Sequence, residues 1–345
     1  MVKEKKKKII NFVFILLVFS LTFYAVFKGQ DINEILKCLK QAKKLPLIAG
    51  IILLIIFVCS ESVIIWYLSK KVNHKVKLRK CIKYSFVGFF YSSVTPSSSG
   101  GQPMQVLYMK KDGINVAVST LIIIIVTILY KAVLILFGVL AGTAEYDIIK
   151  NSAREIWFLL AIGVTANILF IAFLLVVVFK QSFAKRTISA FIIKLGKKGI
   201  IKNYDKYTKK ALEVLKKYEN CADYIKGNKK ALLVAFAITF VQRVCMFLIT
   251  YMVYCSFGLH TSNAFEIVAL QTVLSLAVDC MPVPGAIGFS ESCFILLFDG
   301  VFGTDLIIPA MLLSRGITYY ALLIISAAVT FLAHIFQNKR MDTNQ

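Results

Sequence analysis

The chain has 345 residues, 58% of them hydrophobic, and a formal charge of +23 from 41 Lys and Arg against 18 Asp and Glu. Its mean hydropathy is +0.75. Only 17% of its residues are charged, where soluble domains have about a quarter, and this excludes an ordinary soluble globular protein. The basic residues lie in loops between apolar runs. The positive-inside rule and anionic headgroups account for them, so nucleic-acid binding is not expected.

The expected fold is all-α and polytopic, with about six full transmembrane helices and two opposed re-entrant hairpins, in a single domain over 1–345. Lys3 to Lys8 precede a first apolar span at 9–27. That span is long for a signal-peptide core and no A-x-A site follows it, so an uncleaved helix starting in the cytoplasm is expected. A second span covers 46–68. The next loop, SKKVNHKVKLRK (69–80), has six Lys or Arg and no acid, and reads as cytoplasmic. A shorter apolar piece, 81–94, runs into SSVTPSSSGGQPMQ (92–105), which cannot continue a helix.

Spans at 116–140 and 156–179 follow, joined by a charge-balanced loop that reads as outside. The loop 180–230 has fifteen Lys or Arg against four acids and reads as inside. Within it, Tyr207, Ala211, Val214, Leu215 and Tyr218 recur at helical spacing. An amphipathic helix on the cytoplasmic leaflet fits, and so does one packed beneath the bundle. Next come a span at 231–257, a piece at 264–280 entering DCMPVPGAIGFSES (279–292), apolar 289–298, and a last span at 307–335. The tail reads as inside. With these sides set, 81–114 must enter and leave from the cytoplasm, and 264–298 from the outside.

An inverted repeat follows. Unit one is 46–140 and unit two 231–335. Starts at 46, 95 and 116 recur at 231, 282 and 307, offsets of 185, 187 and 191, and the units cross in opposite senses. In such folds broken segments at corresponding positions point to the binding site.

Each break can be a packing turn or the wall of a cavity. Irregular backbone at membrane depth is tolerated only where protein or water satisfies it, and two breaks favour the cavity. Pro96, Pro103, Pro282 and Pro284 stop helices, and Gly100, Gly101, Gly285 and Gly288 allow tight turns. Helix N-termini after such turns favour anions. Thr95, Ser97, Ser98 and Ser99 add hydroxyls, and Gln102 lies beside them. Arg243 and Arg315 fall inside apolar spans and are expected to face the interior with partners. Candidate counter-charges are Glu61, Asp279 and Glu291, and Lys131 is a weaker cation candidate. These charges fit either structural ion pairs or a site where the arginines hold a phosphate. The eight cysteines and three histidines show no metal-ligand spacing, so no metal or cofactor is expected.

TPSSSGGQP (95–103) and MPVPGAIGFSE (281–291) resemble the two signature segments of the lysylphosphatidylglycerol synthase transmembrane domain family, the flippase-like membrane part of multiple-peptide-resistance proteins. The resemblance extends over roughly 9–335, and Arg315 with Tyr319 and Tyr320 resembles the family's last-helix arginine. Ala286 and the SSS run stand where glycines are common. The resemblance implies membrane phospholipids as partners and a lipid-moving activity in a bacterial inner membrane, with both termini cytoplasmic. Full-length members add a cytoplasmic domain that transfers lysine from lysyl-tRNA to phosphatidylglycerol. This sequence ends at Gln345, and no such domain is expected in it. A separate lipid-modifying transferase is then a possible partner. Three functions remain open at this level: a translocase for anionic or aminoacylated phospholipid, a phosphatidylglycerol lysyltransferase or its membrane subunit, and a secondary transporter of a small anion.

Overall fold

The computed structural model describes residues 32–179 and 227–342. The expected span at 9–27 and the amphipathic segment around 207–218 lie outside the described residues. Among the described residues every regular element is helical. In chain order these are α1 (Ile32–Gln41), α2 (Lys44–Lys71), α3 (Leu78–Val94), α4 (Gly101–Lys111), α5 (Val116–Ala144), α6 (Tyr146–Ser152), α7 (Trp157–Phe179), α8 (Lys229–Ser256), α9 (Ala264–Val278), α10 (Phe289–Phe302), α11 (Ile307–Arg315) and α12 (Leu322–Asp342). Tight 3-10 turns at Pro96–Ser98 and Pro284–Ala286 interrupt the two broken segments, and a π-helical turn, Gly316–Ala321, joins α11 to α12.

Among the described residues six stretches are long and apolar enough to cross a membrane: 44–71, 116–144, 154–178, 229–256, 284–302 and 307–335. Five coincide with expected spans. The sixth falls in the second half of the expected re-entrant hairpin 264–298, where no full span was expected: α10 runs past the polar Asp299 to Phe302, with Asp299 and Gly300 on its exposed side. α10 itself has 14 residues, about 21 Å of helix, against a hydrocarbon core of about 30 Å. It reaches spanning length only when the turn before it is counted.

The long helices are apolar on all sides, and burial, rather than hydrophobicity, distinguishes their faces. On α2 the buried positions Leu54, Phe57, Glu61, Ile64 and Leu68 recur every three or four residues. Ile48, Ile51, Ile52 and Ile55 stay exposed, as suits a face turned to lipid. α2 packs along α8, antiparallel. The Lys43 amide donates to the Ser256 carbonyl at 2.8 Å, and the Gln242 side chain donates to the Phe57 carbonyl at 3.2 Å. α3 and α4 also run antiparallel. Gln105 lies over Gly88, and Lys83 and Tyr84 donate to Asp112 at 2.7 and 2.6 Å. Burial alone would raise the Asp112 carboxyl, but those bonds and the charges of Lys83 and Lys80 hold it below the usual carboxylate range.

Among the described residues two apolar clusters form the core. One joins Ile64 and Leu68 of α2 to Leu121 and Val126 of α5 and Ala235 of α8. The other joins Leu54 and Phe57 to Val133 and Phe137, and to Phe247 and Val253. On each helix the polar residue falls between the clusters: Glu61 on α2, Tyr130 and Lys131 on α5, Arg243 on α8. A polar belt therefore crosses the molecule halfway along its longest helices.

α7 docks on this core through a glycine. A Cβ at Gly163 would sit 2.0 Å from the Leu276 carbonyl oxygen of α9, a backbone atom that cannot move aside. Gly142, near the end of α5, has open space around it. Gly163→Ala is expected to lower stability in detergent by about 1–3 kcal/mol through overpacking. Gly142→Ala is expected to leave it unchanged or raise it by up to about 1 kcal/mol through helix propensity. Thermal unfolding of both variants beside the parent checks the contrast.

Candidate functional site

The two breaks are built alike. Thr95 (φ −113, ψ 144) and Val283 (φ −118, ψ 139) are extended, each is followed by proline, and two left-handed residues come next. These are Ser97 and Ser98 (φ 50 and 52) in the first break and Gly285 and Ala286 (φ 60 and 52) in the second. The amide of the second left-handed residue closes each turn, Ser98 onto the Thr95 carbonyl at 3.2 Å and Ala286 onto the Val283 carbonyl at 3.0 Å. Left-handed backbone costs about 1–2 kcal/mol at a residue with a Cβ, so three of these four positions are strained. Glycine was expected to make the first turn. Instead Gly100 is helical (φ −84), and the serines before it turn the chain. Gly101 serves close packing, against the Gly88 carbonyl and Ser92 of α3.

The breaks touch each other. The Ser97 hydroxyl donates to the Met281 carbonyl at 3.3 Å, and the Tyr319 hydroxyl donates to the Ser93 carbonyl at 3.1 Å. Tyr319 also presses its ring on Gly285, where a Cβ would come within 2.2 Å of ring carbon. The second break is further held by an ion pair. Arg315 Nε donates to Glu291 Oε1 at 2.8 Å, and Nη2 donates to the Gly285 carbonyl at 2.9 Å. The other oxygen of Glu291 accepts the Gly288 amide at 2.7 Å. Glu291 thus caps α10 and anchors α11 in one step. The π-helical turn begins immediately after Arg315, and the guanidinium lies 4.6 Å from the Tyr319 ring centre.

Beneath the breaks lies a cavity of about 900 Å³. Ser97, Ser98, Ser99, Gln102 and Pro103 line it from the first break, and Gly285, Ala286 and Ser290 from the second. The polar belt forms its floor, with Glu61, Tyr130, Lys131, Arg243 and Asp279. Ile123, Ile124, Phe170 and Leu174 make an apolar flank on α5 and α7. The first break is exposed from Pro96 to Ser99, whereas Met281, Pro284 and Ile287 of the second are buried.

Most charges in the cavity are already matched. Lys131 bonds Asp279, Arg315 bonds Glu291, and Glu61 accepts the Gln105 amide at 2.6 Å. Of the three carboxylates expected to face the arginines, only Glu291 makes such a bond. Asp279 takes the lysine one helix away, because Lys131 and Asp279 both face the belt. Arg243 is 3% exposed and stacks on Tyr130, its central carbon 3.3 Å from the ring centre. Its Nε and Nη2 find no acceptor among the described residues.

Several expected site residues serve the turns instead. Thr95 Oγ1 accepts the Gly100 amide at 2.9 Å and donates to the Tyr91 carbonyl at 2.6 Å. The amides of Gly100 and Gly288 are therefore spent inside the protein rather than offered to an anion. Thr95, Pro96, Gly100, Gly101, Pro284 and Gly288 shape the cavity from behind its wall, while Ser97, Gln102, Pro103, Gly285, Arg243, Arg315 and the counter-charges Glu61 and Asp279 are part of it.

Comparison with known proteins agrees with this architecture. The family model described as "Lysylphosphatidylglycerol synthase TM region" matches residues 9–326. The chain belongs to this family. A UPF0104 membrane protein of Archaeoglobus fulgidus is 22% identical over 299 residues, covering 86% of this chain and 88% of that one. The match to the lysylphosphatidylglycerol synthase membrane-region family spans both breaks and the whole polar belt.

Some wall residues escaped the sequence reading. Gln271 and Ser275 line the cavity from α9, and with Asp279, which was expected, they fall at strict four-residue spacing, a polar stripe on an apolar helix. Gln105 and Tyr130 carried no comparable signal, since either fits an ordinary helix face. The Arg315–Glu291 bond yields a test of structure. Arg315→Met leaves a buried carboxylate unpaired and is expected to lower stability by roughly 3–5 kcal/mol. Adding Glu291→Gln, which keeps an acceptor for the Gly288 amide, is expected to restore most of it. A double-mutant cycle on unfolding in detergent measures the coupling.

Proposed function

We propose that this protein is a lipid translocase of a bacterial inner membrane, acting on anionic or aminoacylated phospholipid. The headgroup enters the cavity between the two breaks while the acyl tails remain in lipid along the apolar flank of α5 and α7. The observation that carries this reading is the mixed wall of the cavity: charged groups at the polar belt, beside apolar side chains such as Ile123, Ile124 and Leu174 on α5 and α7. Phe170 belongs to that wall and is 42% exposed. A lipid needs such a path, with a polar lane for its head open sideways to its tails.

The family supports the lipid assignment, since its description names the membrane region of a lipid synthase. The charge pattern supports the orientation. Because α2 and α8 are antiparallel, Lys70 and Lys71 at the end of one lie near Lys229 and Lys230 at the start of the other. The basic loop 69–80 belongs to that same end, which is therefore cytoplasmic. The matching turns on antiparallel frames support an inverted repeat, in which each break serves one leaflet. The partners this reading requires are phospholipids and, for aminoacylated lipid, a transferase that makes it.

Proteoliposomes test the proposal. Reconstituted protein is expected to speed transbilayer movement of labelled phosphatidylglycerol or lysylphosphatidylglycerol above the protein-free rate. Ser99→Trp, a bulky side chain at an exposed, right-handed position (φ −72) lining the cavity, is expected to return that rate to background with little change in the unfolding temperature. Failure of the parent protein to move either lipid would refute the reading.

A further inference from the structure

The charged groups of the cavity are unequal, and the inequality names a ligand contact. Arg315 has two partners and Lys131 has one. Arg243 is buried, and its Nε and Nη2 have none. No ion pair joins it to a carboxylate among the described residues: Asp279 is near enough to act on it electrostatically but is bonded to Lys131, Glu291 is bonded to Arg315, and Glu61 to Gln105. A guanidinium does not lose its proton inside a protein, so the charge stays. Buried donors without acceptors are costly, and native structures rarely keep them without use.

The two orphaned nitrogens are not a random pair. Nε and Nη2 form one edge of the guanidinium, and their hydrogens point the same way, at the spacing of two oxygens on one phosphate or carboxylate. Tyr130 covers the flat face of the group, with its ring centre 3.3 Å away, and Phe247 flanks it at 5.7 Å. The stack holds the plane, and the side chain is part of the cavity wall. Both nitrogens are shielded from bulk water, where a charge-assisted bidentate bond is strongest.

We infer that Arg243 is the oxyanion-binding residue of the cavity, gripping two oxygens of a single phosphate or carboxylate group through Nε and Nη2, and that Arg315 is a structural latch outside this contact. The inference rests on the lipid reading for the source of the anion. The geometry by itself calls only for the oxyanion, which a lipid phosphodiester or free phosphate can supply.

The experiment uses the full chain purified in detergent, with dihexanoyl-phosphatidylglycerol and inorganic phosphate as probes, followed by calorimetry. The parent is expected to bind the short-chain lipid. Arg243→Gln is expected to weaken binding roughly tenfold or more, with an unfolding temperature equal to or above the parent's, because a buried unpaired charge is removed. Arg243→Lys keeps the charge but loses the fork, and is expected to weaken binding as well. The Arg315→Met, Glu291→Gln pair is expected to bind as the parent does. Phosphate binding as tight as the lipid's, with the same dependence on Arg243, would uphold the contact and move its source from lipid to free anion. Equal binding by Arg243→Gln and the parent would overturn the inference while leaving any measured lipid movement intact. An Arg315 pair as impaired as Arg243→Gln, or a parent that binds neither probe, would overturn it too.

Discussion

A helix that breaks among apolar neighbours strands its backbone polar groups, and in hydrocarbon no water can take them up. Among the described residues the chain breaks this way at two places, and the breaks are satisfied together. Ser97 of the first reaches the Met281 carbonyl of the second, and Tyr319, from the turn after α11, reaches the Ser93 carbonyl beside the first. The rest of the arrangement follows from that shared need. Two short helix pairs must converge on one point, the long helices α2, α5 and α8 must surround it, and the volume they enclose must be polar. The cavity is thus a consequence of how the breaks are satisfied.

The breaks share a backbone but not a supporting cast. The second is buried and fastened by Glu291, Arg315 and the ring of Tyr319. The first is exposed, closed mostly by serine and threonine hydroxyls, and keeps two non-glycine residues in left-handed backbone. Strain held in an exposed turn beside a cavity is usual where a segment has work to do. In the lipid reading the first break faces the entrance and the second is the fixed wall against which a headgroup rests. The polar belt then divides its labour, with paired charges shaping the pocket and one unpaired guanidinium left for the ligand.

Much of the fold was legible in the sequence, because long apolar runs and the charge of their loops are coarse signals that tertiary contacts do not override. The breaks were legible too, since Pro96 and Pro284 cannot sit inside helices. The turn residues were misassigned at the first break. Glycine is the usual choice for left-handed backbone, yet here Ser97 and Ser98 adopt it, while Gly101 makes the close contact with α3. Charges were legible as a set but not as pairs. Which carboxylate meets which cation depends on how helices distant in sequence face one another, and nothing local to Lys131 or Asp279 encodes that they meet. The extent of α10 was hidden for a simpler reason. A polar pair at Asp299–Gly300 looks like an end, but here it is an exposed face of a helix that continues.

The central claim is that the two breaks meet inside the bundle. Crosslinking tests it most directly, in a background with the eight native cysteines replaced. Ser97→Cys with Met281→Cys is expected to join within one chain under a short bifunctional reagent in native membranes, as readily as Lys43→Cys with Ser256→Cys on the α2–α8 pair. If the control pair joins and the 97–281 pair does not, the breaks lie apart and the cavity between them does not exist as described.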